Sequence, residues 1–189
     1  MKDLTSVSLC AITLAVLGLS ACSSVSRGQV AALTPYSQAT LPDALKVPAG
    51  NKVAMETMGA GAITYECRAK KDVADQFEWV FVGPDAALND RTGKRIGRYF
   101  GPPATWESMD GSKVTGAQLA VSPAGAANIP LQLVKANPAM GAGAMQGVTY
   151  IQRVATQGGV APSAACAASS LGQKQIVKYQ ADYIFWRAV

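Results

Sequence analysis

Alternation of apolar and polar positions dominates the chain from about Lys52 onward and predicts β-strands. Ile63, Tyr65 and Cys67 alternate with polar neighbours, which is the period of a half-buried strand. Residues 77–82, 129–134 and 148–154 are further β-favouring runs. In residues 176–187 one face carries the alternate positions Val177, Tyr179, Ala181, Tyr183 and Phe185.

Turn signals separate these runs and set the predicted architecture. Gly83-Pro84, Thr92-Gly93, Gly101-Pro102-Pro103 and Asp110-Gly111 lie between short apolar pieces, a spacing typical of hairpins. No long amphipathic helix interrupts them. We therefore predict an all-β fold over residues 48–189, an antiparallel β-sandwich or barrel-like domain with short hairpins and long loops.

The amino-terminal pattern is different and predicts export. Lys2 precedes an apolar run over residues 4–19, which is shorter than the roughly 20 apolar residues of a spanning helix. The run ends in Leu19-Ser20-Ala21-Cys22, which resembles the lipobox of bacterial lipoproteins. Residues 1–21 are thus predicted as a signal peptide helix. Cys22 would carry a diacylglyceryl group and, after cleavage, a further acyl chain such as palmitate. An ordinary secretory signal cut near Ala21 stays open as the alternative.

The residues after Cys22 predict where in the cell envelope the protein is located. Residues 22–47 are rich in Ser, Thr, Ala, Gly and Pro without a sustained period, which predicts a flexible tether. Ser23 replaces the Asp that commonly retains lipoproteins in the inner membrane. We expect attachment to the outer membrane through the lipid, on the periplasmic face by default, and display on the cell surface stays open.

Cysteine usage fits that compartment. Cys10 leaves with the signal and Cys22 takes the lipid, so Cys67 and Cys166 remain as one pair. In an oxidising compartment an even pair predicts a disulfide. Two thiols alone do not make a metal site, and the chain contains no His. We expect no metal and no cofactor.

Charge adds little to this picture. The net charge is +5, and the basic residues are scattered apart from a cluster in residues 91–98. We interpret that cluster as a solvated hairpin. A nucleic-acid partner is not expected for an exported lipoprotein.

Six segments together are typical of one protein family: ITYEC at residues 63–67, WVFVGPDAAL at 79–88, PATWE at 103–107, DGSKV at 110–114, GVTYIQRV at 147–154 and YQADYIF at 179–185. They resemble the family of secreted bacterial and fungal proteins catalogued as the domain of unknown function DUF3455. The resemblance runs from about Pro48 to the C-terminus and implies no activity. Members often carry a His before the Phe in the segment matching Arg98-Tyr99-Phe100, where this chain has Tyr99.

Two function classes remain open. A binding or structural module is the first, with an envelope protein or a glycan as partner. Trp106, Tyr99 and Trp79 are its candidate binding residues, Trp106 above all because Gly101-Pro102-Pro103 predicts a loop there. Buried aromatics of the core are the simpler interpretation of these residues. The second class is an envelope hydrolase that cuts glycans with two carboxylates, drawn from Glu66, Glu78, Glu107, Asp85, Asp90 and Asp110.

Overall fold

A computed structural model describes residues 35–189, which form one eight-stranded antiparallel barrel. The predicted signal peptide, Cys22 and the first part of the tether lie outside the described residues. The all-β prediction is confirmed, with a barrel as the architecture. The strands are β1 (Asn51–Ala69), β2 (Phe77–Asn89), β3 (Arg95–Phe100), β4 (Thr105–Ser108), β5 (Lys113–Ser122), β6 (Leu131–Ala136), β7 (Val148–Gly158) and β8 (Lys174–Ala188).

Each strand pairs with the next one in sequence, and β8 pairs with β1 to close the barrel. Connections therefore alternate between the two ends. One end carries the connections over residues 90–94, 109–112 and 137–147, and we call it the closed end. The opposite end carries those over residues 70–76, 101–104, 123–130 and 159–173, and we call it the open end.

The predicted alternation places the core inside the barrel. Ile63, Tyr65 and Cys67 are buried on β1, and β8 buries Tyr179, Ala181, Tyr183 and Phe185. Eight strands enclose a space that side chains just fill, or that holds one small ligand. The same inner cluster takes in aromatic and aliphatic residues from the other strands: Leu88, Tyr99, Trp106, Val114, Val134 and Ile151.

Strand β2 runs further than the sequence predicts. Gly83-Pro84 was expected to end it, yet both residues lie inside β2. The register shifts between Thr64 and Tyr65, opposite Gly83, and such an irregularity accommodates a proline that cannot donate to the ladder. A side chain at Gly83 would meet the Gly101 carbonyl oxygen of the next connection, so a glycine is required there.

A loop plugs the closed end. Met145, in the β6–β7 connection, is 1% exposed and belongs to the inner cluster. The carboxylate of Asp110 holds this loop, accepting from Ser112 N at 2.9 Å and from Ala144 N at 2.7 Å. The Ser112 hydroxyl in turn accepts from Met145 N at 3.1 Å.

A second apolar cluster lies outside the barrel wall, under residues 35–47. Leu45 and Val47 are buried against Ile184 and Trp186 of β8. The Gln152 side-chain amide donates to the Leu45 carbonyl at 2.7 Å and accepts from the indole of Trp186 at 2.9 Å.

This packing changes the boundary of the predicted tether. The tether was expected to extend to Val47, but residues 35–47 are packed on the strands because they cover apolar side chains that would otherwise face water. The folded domain therefore begins upstream of Pro48. Two short 3-10 helices, Asp43–Leu45 and Ala168–Ser170, are the helical elements of residues 35–189. None of the helices in this part of the chain is long and apolar enough to cross a membrane.

Candidate pocket at the open end of the barrel

Strand pairing directs three polar side chains into the barrel at its open end. Arg153 of β7 pairs directly with Tyr183 and with Gln132, and directly paired residues share one face of a sheet. Because Tyr183 is fully buried inside, Arg153 and Gln132 point inward as well. Gln118 of β5 pairs with the inner-facing Val134 and so faces the same interior.

These side chains line a pocket of about 300 Å³. That volume is at the lower end of the range for small-molecule sites, which often lie in the mouths of β-barrels. Arg153, Gln118, Gln132 and Tyr99 form its polar side. The opposite side is apolar and consists of Phe81, Pro84, Pro102 and Ala104.

Arg153 is held in place while three of its five N–H donors remain free. Its Nε and Nη2 both donate to the Pro130 carbonyl, at 3.1 and 2.9 Å. Those bonds use the Nε/Nη2 edge of the guanidinium. The two N–H groups of the Nη1/Nη2 edge therefore remain free, and their parallel arrangement matches the oxygens of a carboxylate or phosphate. Within residues 35–189 no Asp or Glu pairs with Arg153 in a salt bridge.

The bond between the two glutamines leaves the Gln118 NH₂ group and the Gln132 amide oxygen for a ligand. Gln132 Nε2 donates to Gln118 Oε1 at 2.7 Å. Gln118 Nε2 and Gln132 Oε1 are then the remaining amide groups at the pocket. A neutral amide pair beside a guanidinium can hydrogen-bond an anion without cancelling the positive charge.

Tyr99 adds a neutral hydroxyl to the polar side. Burial raises the pKa of Tyr99, and the positive charge of Arg153 opposes this shift. The hydroxyl is therefore protonated at neutral pH. Burial likewise raises the pKa of Tyr183 and of Tyr179, whose hydroxyls lie 3.2 Å apart inside the barrel.

The three aromatic residues named as candidate binding residues mainly belong to the core, as the simpler interpretation of them holds. Trp106 was predicted on a loop, but it lies in β4, is 1% exposed and stacks on Tyr99 with ring centroids 4.8 Å apart. Its indole Nε1 has no hydrogen-bond partner among residues 35–189. Trp106 is therefore a core residue and not a loop residue, because inward alternation and not the preceding prolines decides where it points. Of the three candidates, Tyr99 alone lines the pocket.

Trp79 has a structural role at the same end. Its indole Nε1 donates to the Ala164 carbonyl at 2.7 Å, and its ring packs against the inner cluster. It therefore fastens the β7–β8 connection to β2.

The predicted disulfide is present and fastens the same connection. The sulfur atoms of Cys67 and Cys166 are bonded, with Cα atoms 5.5 Å apart. The Tyr65 hydroxyl adds a hydrogen bond of 2.7 Å to the Gly159 carbonyl. Three contacts along residues 159–166 thus secure this connection beside the pocket.

The candidate catalytic carboxylates are not gathered at the pocket, since no Asp or Glu of residues 35–189 lines it. A hydrogen bond from Arg98 lowers the pKa of Glu107, and one from Arg68 lowers the pKa of Glu66. Thr92 does the same for Asp90 within its turn. Within the described part of the chain, no group of three or more His, Cys, Asp or Glu side chains is placed to hold a metal ion.

One pair of carboxylates does come together, away from the pocket. Arg91 bridges Glu56 and Asp182, with both N–O distances at 2.9 Å. The pair lies beside Tyr36, where burial first and then these two negative charges raise the pKa of the phenol to about 12. Both carboxylates are already paired with a cation, so this group joins β1, β8 and the β2–β3 connection.

Comparison with known proteins agrees with the motifs. The sequence profile of the family described as "Protein of unknown function (DUF3455)" matches residues 48–187. The chain belongs to the DUF3455 family. No curated protein and no solved structure gives a significant match to it.

For this DUF3455 member, sequence reasoning named Tyr99 but missed the other three polar residues of the pocket, which are Arg153, Gln118 and Gln132. Arg153 was predicted as part of a β run, but both faces of that run carry apolar residues, so its direction was not evident. The available signal was its spacing of two from Ile151, which puts a cation on the face that Ile151 buries. Gln118 and Gln132 gave no signal, because their partnership depends on the pairing of β5 with β6.

Proposed function

We propose that this protein is a lipid-anchored protein of the cell envelope whose barrel binds a small molecule at its open end. One observation carries the binding role, namely that Arg153 faces the pocket with a free guanidinium edge and no acidic partner among the described residues. A partly desolvated charge without a partner costs stability, so a group of this kind is better explained by a ligand than by the fold.

The anchoring part of the proposal rests on the motif Leu19-Ser20-Ala21-Cys22. Several acyl chains on Cys22 would hold the protein firmly, because each buried CH₂ contributes about 0.8 kcal/mol. The expected location is the periplasmic face of the outer membrane. The barrel would then meet small molecules, glycans or proteins of the envelope.

Metabolic labelling with an alkyne fatty acid tests the anchor. Wild type should incorporate the label and fractionate with membranes, and Cys22→Ser should do neither. Cys10→Ser is the matched control and should label like wild type. Equal labelling of Cys22→Ser and wild type would overturn the anchor.

Ligand-observed NMR with a mixture of neutral and charged small molecules tests the binding role. Gln118→Trp should fill the pocket and remove the signals of bound compounds. Ala117→Trp is the matched control, because Ala117 is exposed and pairs with the exposed Lys135 on the outer face of the same strand. If no compound binds wild type, or if Gln118→Trp binds as wild type does, the binding role is wrong.

The hydrolase alternative lacks support in residues 35–189. Cutting a glycosidic bond by the two-carboxylate route needs an acid and a second carboxylate about 5–10 Å apart at the bound sugar. The pocket holds neither, and the pair Glu56 and Asp182 lies away from the pocket and is bridged by Arg91.

A further inference from the structure

We infer that the ligand of this pocket is a small monocarboxylic acid with an apolar body, bound by its carboxylate to Arg153. This inference rests on the proposed binding function and adds the chemical class. It uses the charge of the lining, the geometry of the free donors and the character of the opposite wall.

The charge of the lining favours a monoanion. In the described part of the chain, Arg153 is the single charged residue that lines the pocket. One guanidinium beside neutral amides balances one negative charge. A phosphate or sulfate dianion would leave excess negative charge, and the lining offers no lysine or second arginine for it.

The geometry of the donors favours a planar anion. The Pro130 carbonyl fixes the guanidinium through Nε and Nη2, which leaves the Nη1/Nη2 edge facing away from that carbonyl. Two parallel N–H bonds from such an edge match the two oxygens of a carboxylate. The Gln118 amide supplies further donors beside it, and Tyr99 also lines the pocket.

The opposite wall favours an apolar body. Phe81, Pro84, Pro102 and Ala104 offer no side-chain hydrogen-bonding group, and Phe81 is half exposed at the rim. Burying an apolar group against them is favourable in proportion to the area removed from water. At about 30 Å³ for each water-sized unit, a pocket of about 300 Å³ accommodates roughly ten non-hydrogen atoms. Benzoate is a probe of that size and chemistry.

Isothermal titration of the purified protein with benzoate and with benzamide tests the inference without any substitution. The two probes share shape and differ in charge. Benzoate should bind at least about 10-fold more tightly, because hydrogen bonds to a charged group are stronger than neutral ones. Inorganic phosphate should bind more weakly than benzoate.

Variants of Arg153 test whether this residue is responsible for the tighter binding of benzoate. Arg153→Gln should weaken benzoate binding about 10- to 100-fold and leave benzamide binding nearly unchanged, and Arg153→Lys should recover part of the loss. Arg98→Gln is the matched control, since Arg98 pairs with Glu107 away from this pocket. It should bind benzoate as wild type does.

Three outcomes would overturn the inference: equal affinities for benzoate and benzamide, tighter binding of phosphate, or full benzoate affinity in Arg153→Gln. Absence of benzoate binding to wild type would do the same. If other compounds of the NMR mixture bind to wild type and lose binding in Gln118→Trp, the binding function still stands and only the ligand class is wrong. If nothing binds at the open end, both are wrong.

Discussion

The two ends of the barrel differ in how completely a charged side chain at each end is hydrogen-bonded within the chain. At the closed end Asp110 accepts from Ser112 and Ala144, and Met145 fills the interior behind them. At the open end Arg153 is fixed by a carbonyl yet keeps one edge free, and the space in front of it is a pocket. The Asp110 carboxylate at the closed end is paired within the chain, whereas Arg153 at the open end keeps N–H donors free beside a pocket, and this is where we propose that a ligand binds.

Removal of the disulfide should have the largest effect, and it acts on the open end. Cys67 and Cys166 are 99 residues apart, and loss of such a bond typically costs about 2–5 kcal/mol. We expect the double variant Cys67→Ala/Cys166→Ala to lose that much free energy of unfolding in urea. A change below about 0.5 kcal/mol would mean that the bond does not secure this end.

Truncation of the plug should come next, at the closed end. Met145→Ala removes a side chain that is 1% exposed, and substitutions of this kind cost about 2–5 kcal/mol. Urea unfolding should show the loss, whereas titration should show unchanged benzoate affinity in the folded variant. A parallel loss of affinity would break the distinction between a structural and a binding end.

Gly143→Ala tests how tightly the closed end is built. An added Cβ would lie 2.5 Å from Asp110 Cγ at a φ of +147°, so both crowding and backbone strain oppose it. Gly111→Ala is the control at the same end, because its φ is +85° but nothing lies within 4 Å. We expect Gly143→Ala to lose at least about 1 kcal/mol more than Gly111→Ala in thermal or urea unfolding. Equal losses would show that the Asp110 loop adjusts freely.

Acid should gradually reduce the stability that Asp110 gives to the closed end. The reduction should be smallest near neutral pH. Hydrogen bonds from the Ser112 side chain, then from the backbone of Ala144 and Ser112, lower the pKa of Asp110 from 3.8 to about 2. A carboxyl with a lowered folded-state pKa stabilises the fold above its unfolded pKa, and this contribution disappears as the pH falls through the folded value.

Urea unfolding between about pH 5 and pH 2 measures this contribution. Wild type should lose more stability than Asp110→Asn as the pH falls from about 4 to about 2, because the variant has no carboxyl to protonate. Parallel pH profiles of the two proteins would contradict the role of Asp110.

The sequence predicted what depends on local alternation and composition. The inward positions of β1 and β8 followed from the period of two, and the Cys67–Cys166 pair followed from the remaining cysteines. Trp106 was misplaced because Pro102 and Pro103 suggested a loop, although β4 begins two residues after Pro103. The pocket depends on strands far apart in sequence, since Gln118, Gln132 and Arg153 meet only through the register of β5, β6 and β7.

Backbone and side-chain amide chemical shifts of the full protein during a benzoate titration test most directly whether the open end is the binding end. We expect the shifts to concentrate on the side-chain groups of Arg153, Gln118 and Gln132, with the backbone amides of Ala144 and Met145 at the closed end unchanged. Shifts centred on the closed end, or none at the open end at saturating benzoate, would contradict the assignment of that pocket.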